Sequence, residues 1–350
     1  MLDNATCIPF FSGRSALTAI LSMEFKKKGF KVAVPSFVCS SVVAAILSAG
    51  REPLFIDIKN DMTIDPNDLE RKIDKDVVAI IMPHIYGKVC DFQIIRQMAR
   101  FNRSLLVDDS ATCAGLQYGN YKMGLLGDVG IASMNYKTVS SVMGGLLIIP
   151  QDSVWYPQIL SNNMITKKLS PNSDADIKKL LLSYFFSGLL AKSDIYKYIK
   201  KSGLKKTHCF EPVNETIEIA SMKNISAILG ISQMGKFCCL QKRRERNSNL
   251  LVKILGKSKS LSPHIAERKD FFTRFVVKIK NNNFNIKQKL RKINVQYFDT
   301  YTPAHILLGI KSMLPMTEEI CSKAIVLPNN PVYSLRDIAD MGEKILSIDS

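Results

Sequence analysis

The sequence is short of acid. Its 350 residues carry 31 Asp and Glu against 48 Lys and Arg, a net charge of +17. The surplus stands in runs such as Lys26-Lys27-Lys28, Lys200-Lys201 and Lys205-Lys206. No helix-turn-helix, zinc-finger or RNA-recognition pattern organises them, so a nucleic-acid partner is not expected. What remains is a solvated lysine-rich surface, able to attract an anionic substrate or an anionic membrane surface. Cysteine occurs eight times, at 7, 39, 90, 113, 209, 238, 239 and 321, and never as C-x-x-C or at metal-ligand spacing. That excludes a patterned zinc site and points to reduced thiols in a cytoplasmic protein. Long apolar runs are also missing. The best, Leu180 to Ala191, is a dozen residues flanked by Lys178, Lys179 and Lys192, well short of the ~20 that cross a bilayer. It reads as a packed or interfacial helix, and no transmembrane span is expected. Met1-Leu2-Asp3-Asn4 lacks the basic start and apolar run of a signal peptide. There are no internal repeats and no low-complexity tract.

A hydrophobic content of 46% with 23% charged residues is ordinary for a soluble globular protein and argues against disorder. The length accommodates a large domain and a smaller one. The first half alternates patterns. Helical spacing runs over 15–28, 40–49, 69–73 and 94–101, and strand-like runs cover 31–35, 52–58, 77–82 and 105–108. The continuous apolar run Val77 to Met82 suits a buried parallel strand. This order predicts an α/β fold with a mainly parallel central sheet flanked by helices and the ligand at the carboxyl ends of the strands. Residues 1–220 form the expected large domain, with an irregular helical segment over 151–210. Residues 221–350 form the second part: one long, bent helix over 222–255, then a smaller α+β domain with a strand starting at 271, a helix over 284–293, a short strand at 295–297 and a final helix over 335–348.

Several positions carry chemistry at the predicted ligand edge. Ser12-Gly13-Arg14-Ser15 places a glycine and small hydroxyls at a helix start, where backbone N–H groups and the helix dipole favour a phosphate dianion. The same residues also make an ordinary N-cap. The strand ending Leu105-Leu106-Val107 closes on Asp108-Asp109, two carboxylates that must face opposite sides of a sheet. Farther on come Gly127-Asp128, Ser133, Lys137 and Gly144-Gly145. A carboxylate at one strand end and an amine beyond another is what pyridoxal phosphate requires. The amine forms a Schiff base with its aldehyde, and the carboxylate keeps the pyridine nitrogen protonated so that the ring acts as an electron sink. His84, at another strand end, has a structural reading and a cofactor-side one.

The order of these motifs resembles the DegT–StrS family of nucleotide-sugar aminotransferases, which are fold type I pyridoxal phosphate enzymes. The resemblance is carried by Ser12 to Leu17, the Val34-Pro35-Ser36-Phe37 strand end, Ala49-Gly50, Pro53 to Asp57, His84 to Gly87, Asp108-Asp109, Gly124 to Asp128, and Lys137 ahead of Gly144-Gly145. Farther on, Ala227 to Met234 with Arg243, Arg244 and Arg246, and Val326-Leu327-Pro328, are similar to later family motifs. The resemblance implies that Lys137 is the Schiff-base lysine and proton shuttle and that Asp109 pairs with the pyridinium nitrogen. It places Ser12, Gly13, Arg14 and Ser133 at phosphate-binding positions, and makes Asp108 structural.

Departures from the family cluster at the cofactor. Cys39 occupies the place of a stacking aromatic, and Thr112 that of a Gln or His near the phenolic oxygen. One residue is missing between Ser133 and Lys137. Ile219 lies near the position of an Asn that a partner subunit lends, and the stretch ahead of Ser12 is shorter than usual. The implied activity is transfer of an amino group from an amino acid, L-glutamate, to a nucleotide-linked keto sugar for surface polysaccharide or related glycan synthesis, by a cytoplasmic homodimer with shared active sites. The alternatives are an enzyme of the same fold acting on a non-sugar ketone or cyclic polyol, and a non-catalytic regulatory relative.

Overall fold

The computed structural model describes residues 2, 4–26, 28–134, 143–166, 216–265, 271–280 and 285–349. Lys137 and the apolar stretch 180–191 therefore lie outside the described residues.

The strands in chain order are β1 (Ala5–Phe10), β2 (Lys31–Pro35), β3 (Glu52–Ile56), β4 (Val77–Pro83), β5 (Leu105–Asp109), the small hairpin β6 (Gln117–Tyr118) and β7 (Tyr121–Lys122), β8 (Val129–Ser133), β9 (Gly145–Pro150), β10 (Leu261–Pro263), β11 (Phe275–Ile279), β12 (Phe298–Asp299) and β13 (Ala324–Leu327). The helices are α1 (Gly13–Leu21), α2 (Ser40–Ser48), α3 (Pro66–Lys72), α4 (Phe92–Asn102), α5 (Tyr156–Leu160), α6 (Asn163–Thr166), α7 (Asn224–Met234), α8 (Phe237–Leu255), α9 (Ile286–Lys292), α10 (Ala304–Leu307), α11 (Pro315–Lys323) and α12 (Leu335–Leu346).

A seven-stranded sheet in the order β1-β9-β8-β5-β4-β2-β3 forms the centre. Strands β3, β2, β4, β5 and β8 run parallel, while β9 is antiparallel to both β8 and β1. The parallel strands are the continuous apolar runs of the sequence, because both faces of such a sheet are covered. Every residue of β4 and β5 is buried, and separate apolar clusters fill the two sides. One joins α1, α2 and β2 through Phe10, Ile20, Val34 and Ile46. The other joins α3, α4 and the 113–126 region through Leu69, Ile95 and Leu126. A second, four-stranded antiparallel sheet, β10-β11-β13-β12, packs with α8 and α12 around Leu251, Phe275 and Ile338. Asp57 ties the two sheets together by capping α11: Thr317 N–H and Oγ1 donate to its Oδ1 at 2.8 and 2.7 Å, and Met316 N–H donates to Oδ2 at 3.1 Å.

Three sequence expectations are corrected. Helix α1 stops at Leu21 rather than 28, because the Arg51 guanidinium takes the carbonyls of Leu21 (3.0 Å) and Met23 (2.9 Å) that a longer helix would use. The single helix expected over 222–255 is two, α7 and α8, parted at Gly235 and Lys236. Apolar periodicity runs through this break, but glycine costs about 1 kcal/mol in a helix interior and the chain turns there. The short strand expected at 295–297 lies at 298–299 instead, because Val295 N–H is spent closing the end of α9 on Leu290 O.

Candidate active site

All the parallel strands deliver their carboxyl ends to one edge of the large sheet. Strand β2 leads to Ser36–Cys39, β4 to His84, β5 ends at Asp109, and β8 ends at Ser133 opposite Gly145 of β9. Strand β1 leads at the same edge into Ser12 and the start of α1. A cavity of about 1080 Å³ opens there, lined by Ser12, Gly13, Arg14, Cys39 and Ser133 among others. Five of the seven cofactor positions expected from the sequence thus share one cavity. Asp109 and Thr112 are not among its lining residues.

The cradle at its floor is built by close backbone approach. Ser12 caps α1, its Oγ accepting the Ser15 N–H at 3.1 Å, so the ordinary N-cap reading of this serine holds as geometry. A Cβ on Gly13 would lie 3.1 Å from Ser133 Cβ, and one on Gly145 would lie 2.2 Å from Gly13 N and 2.2 Å from Ser12 C. Glycine at both places lets the N-terminus of α1, Ser133 and the start of β9 meet. Residues 218–220 of the same chain lie beside this turn: Ser15 Oγ donates to Glu218 O at 2.8 Å and Phe11 N–H to Ala220 O at 2.8 Å. Ile219 therefore sits next to its own chain's cradle. A helix N-terminus flanked by Ser12, Arg14 and Ser133 fits a phosphate group.

The two aspartates part as their alternation requires. Asp108 is fully buried. Its Oδ2 accepts the N–H groups of Gly124 and Leu126, both at 2.8 Å, and Ser110 Oγ donates to Oδ1. His84 Nε2 lies 3.0 Å from Asp108 Oδ1, without the alignment of a hydrogen bond. The Cys90 N–H donates to His84 Nδ1 at 3.1 Å, which leaves the ring proton on Nε2, facing the carboxylate. His84 and Asp108 together anchor the turns behind the cavity. Asp109 is also buried, its Oδ1 accepting the Ala111 N–H at 3.1 Å, and it acts electrostatically on the Tyr301 phenol. Thr112 accepts a long hydrogen bond, 3.5 Å, from Thr273 Oγ1.

Beside Cys39 stand rings that the sequence did not single out for this task. Tyr86 and Tyr301 stack with centroids 5.5 Å apart and planes 4° apart, and Phe37 meets both edge-on at 6.0 and 5.6 Å. Burial, reinforced by Cys39 and Asp109, pushes the Tyr301 phenol up, so it stays protonated at neutral pH. Burial does the same for Tyr86. Tyr86 holds a left-handed backbone, φ 57°, kept by a strap from the second sheet: Thr273 N–H donates to Tyr86 O and Phe271 N–H to Gly87 O, both at 3.1 Å. Tyr86 was legible only as part of the His84–Gly87 segment. Tyr301 and Arg274 had no sequence signal, since they come from a different sheet.

A mainly parallel sheet with an anion cradle and a buried carboxylate at its carboxyl edge is the fold type I architecture of pyridoxal phosphate transferases. The chain belongs to the DegT/DnrJ/EryC1/StrS aminotransferase family, whose pattern matches residues 1–165 and 193–346. Aminotransferases of this family work with pyridoxal phosphate. The GDP-perosamine synthase of Vibrio cholerae is 31% identical over 145 residues, 41% of this chain and 40% of that protein. The chain thus spans less than half the length of the curated relatives it matches. Among solved structures, PseC of Helicobacter pylori, an aminotransferase involved in the biosynthesis of pseudoaminic acid, superposes with a TM-score of 0.76 at 18% identity, covering 98% of this chain and 86% of that one. Spr1654 of Streptococcus pneumoniae, solved in a PMP-form and a PLP-form, gives TM-scores of 0.74 and 0.72 at 20% identity, covering 98% of this chain and 87% and 86% of those chains. Among the described residues no helix is long and apolar enough to cross a membrane.

Proposed function

We propose that this chain is a pyridoxal phosphate-dependent aminotransferase. It would move an amino group from L-glutamate to a keto sugar carried on a nucleotide diphosphate, serving surface polysaccharide or related glycan synthesis in the cytoplasm. The observation that carries this reading is the meeting of Ser12, Gly13, Arg14 and Ser133 in one cavity at the carboxyl edge of the sheet, beside the strand that ends in Asp109.

When bound, pyridoxal phosphate supplies an aldehyde and an electron-withdrawing ring that acidifies the carbon–hydrogen bond next to the transferred nitrogen. The chain's own residues do the rest. The amides at the start of α1, with Ser12, Arg14 and Ser133, hold the phosphate. Asp109, its carboxylate kept in place by the Ala111 N–H, would hold a proton on the pyridine nitrogen. Lys137 is the amine that would hold the cofactor's aldehyde and would carry the proton. Cys39 offers little ring-covering area, and Tyr86 with Tyr301 supplies the aromatic surface nearby. Thr112 takes the phenolic side. Residues 1–220 form the cofactor domain, and residues 221–350 the long helical segment and the smaller α+β domain. A homodimer is supported by Ile225, Ile228 and Ile231, which recur every third residue along α7 and stand 39%, 62% and 72% exposed, a stripe that a second copy would cover.

The test is colour and trapping. Protein given pyridoxal phosphate turns yellow, borohydride fixes the cofactor to Lys137, and Lys137→Ala loses that attachment while still folding. Glutamate bleaches the yellow band, and nucleotide keto-sugars then restore it, with the aminated product read by mass spectrometry. A wild type that stays colourless with added cofactor refutes the enzyme; one that stays yellow with glutamate refutes that donor.

A further inference from the structure

Two arginines line the same cavity from outside the large sheet. Arg244 lies on α8 and Arg274 directly precedes β11. Arg244 is only 7% exposed, and its Nε is buried with no hydrogen-bond partner among the described residues. The one hydrogen bond of its guanidinium among the described residues is neutral: Nη1 donates to Gln241 Oε1 at 3.0 Å. Gln241 Nε2 in turn donates to Phe271 O at 2.6 Å, so Arg244 is braced on the strap that positions Tyr86. Arg274 rides at the end of that strap, exposed to the cavity, its Nη1 donating only weakly to Thr273 O at 3.4 Å. Among the described residues neither arginine has a carboxylate partner. The acids that share the cavity wall are engaged elsewhere, Asp299 with Lys287 at 2.6 Å and Glu318 with His305 at 3.3 Å.

This arrangement is unfavourable by itself. Taking a charge out of water costs several kcal/mol unless an opposite charge repays it, and here a second cation stands nearby. Burial, and then the charge of Arg274, lower the Arg244 guanidinium to about 10, still protonated at neutral pH. A structural role would pair these groups with carboxylates, whereas among the described residues each guanidinium makes one hydrogen bond, to a neutral oxygen. A forked cation left unpaired in a cavity wall has the geometry to take two oxygens of an incoming carboxylate or phosphate.

We propose that Arg244 and Arg274 form an anion subsite that receives an oxyanion of the substrate. This rests on the reading of the cavity as the active site. Two sources share the chemistry: a carboxylate of the amino donor and a phosphate of the nucleotide. Arg274 acts electrostatically on Tyr86 and Tyr301, so the subsite borders the rings beside Cys39 rather than the α1 cradle.

Calorimetric titration of the full chain tests it with two probes that cannot react, succinate and inorganic pyrophosphate, on protein with and without pyridoxal phosphate. Arg274→Gln is the main variant, since its side chain is exposed and its melting temperature should match wild type. Arg274→Lys restores charge without the fork. The expected result is a tenfold or greater loss of affinity for one probe in Arg274→Gln, partly recovered in Arg274→Lys. Loss for succinate assigns the donor carboxylate, and loss for pyrophosphate assigns the nucleotide. Equal affinity of wild type and Arg274→Gln for both probes, or no binding of either probe by wild type, overturns the subsite. Cofactor uptake is read separately by absorbance. A chain that binds no pyridoxal phosphate refutes the enzyme reading and leaves the probe comparison intact.

Discussion

Gly145→Ala isolates the cradle from the rest of the fold. The added methyl would stand 2.2 Å from Gly13 N, 2.2 Å from Ser12 C and 2.5 Å from Ser12 O. Unstrained heavy-atom contacts lie near 3.5–4.0 Å, and the atoms in the way are backbone, not the end of a flexible side chain. The Ser12–Gly13 turn must therefore withdraw by about 1 Å or more, opening the seam where the start of α1 meets Ser133. Overpacking of this kind costs about 1–3 kcal/mol of stability. The loss in cofactor binding is separate. Hydrogen bonds to a charged phosphate contribute about 1.5–3 kcal/mol each, so displacing one or two of them weakens binding by roughly 3 kcal/mol, on the order of a hundredfold. Urea denaturation measures the first term, and absorbance titration with pyridoxal phosphate the second. Gly235→Ala is the control: a Cβ there meets nothing within 4 Å, and the backbone is helical, φ −61°, so its stability should move by less than about 1 kcal/mol. If Gly145→Ala matches wild type within about 0.5 kcal/mol and binds the cofactor equally well, the close approach does not build the phosphate site and the reasoning fails.

Tyr301→Ala should weaken cofactor binding about tenfold, by removing the ring that stacks on Tyr86 beside Cys39, whereas Tyr301→Phe should keep most of it; equal losses in both would assign the effect to the hydroxyl instead. Asp68 sets an acid limb. Burial alone would raise its carboxyl, but Lys72, the Asp57 N–H and Arg71 hold it below the ordinary 3.8. Its contribution is therefore complete above the unfolded value of about 3.9 and disappears as pH falls through the lower folded value. Urea midpoints of wild type and Asp68→Asn should differ at about pH 6 and converge as pH falls through the lower folded value; a constant gap would remove Asp68 from the acid response. Ile228→Asp, in the middle of the exposed stripe on α7, should lower the mass seen by light scattering from dimer to monomer; an unchanged mass would place any dimer contact elsewhere.

How much of this was written in the sequence depends on whether a residue's partners are near in the chain. Strand β2 over 31–35 and the run Val77 to Met82 read correctly, because a strand covered on both faces is continuously apolar. Ser12, Gly13 and Ser133 could be ordered by motif alone, since strand, turn and helix N-cap are local patterns. Strands β1 and β9 lie outside the strand-like runs expected from the sequence. Strand β1 alternates half-buried and exposed positions, and only its pairing with β9 gives it a register. The end of α1 escaped for the same reason: Arg51, thirty residues beyond Leu21, takes the carbonyls that decide it.

The same distinction explains the aromatic wall. Read locally, Cys39 is a loss, a small thiol where the resemblance implies a ring. In three dimensions the loss stands beside a stacked pair whose members lie in different parts of the fold. Tyr86 is forced into a left-handed backbone by a strap of residues 271–273, and Tyr301 arrives between β12 and α10. Neither position is informative without the other, because a tyrosine after a histidine and a tyrosine in a loop are both ordinary. The strap makes the two events one. It pins Tyr86 through the carbonyls of residues 86 and 87, carries Arg274 at its end, and is braced by Gln241, which also supports Arg244. A change that loosens the strap, such as Gln241→Ala, should therefore disturb ring surface and cation pair together, lowering cofactor affinity and anion affinity in the same variant. If Gln241→Ala lowers one and leaves the other at its wild-type value, the ring pair and the arginines are independent features that happen to share a wall.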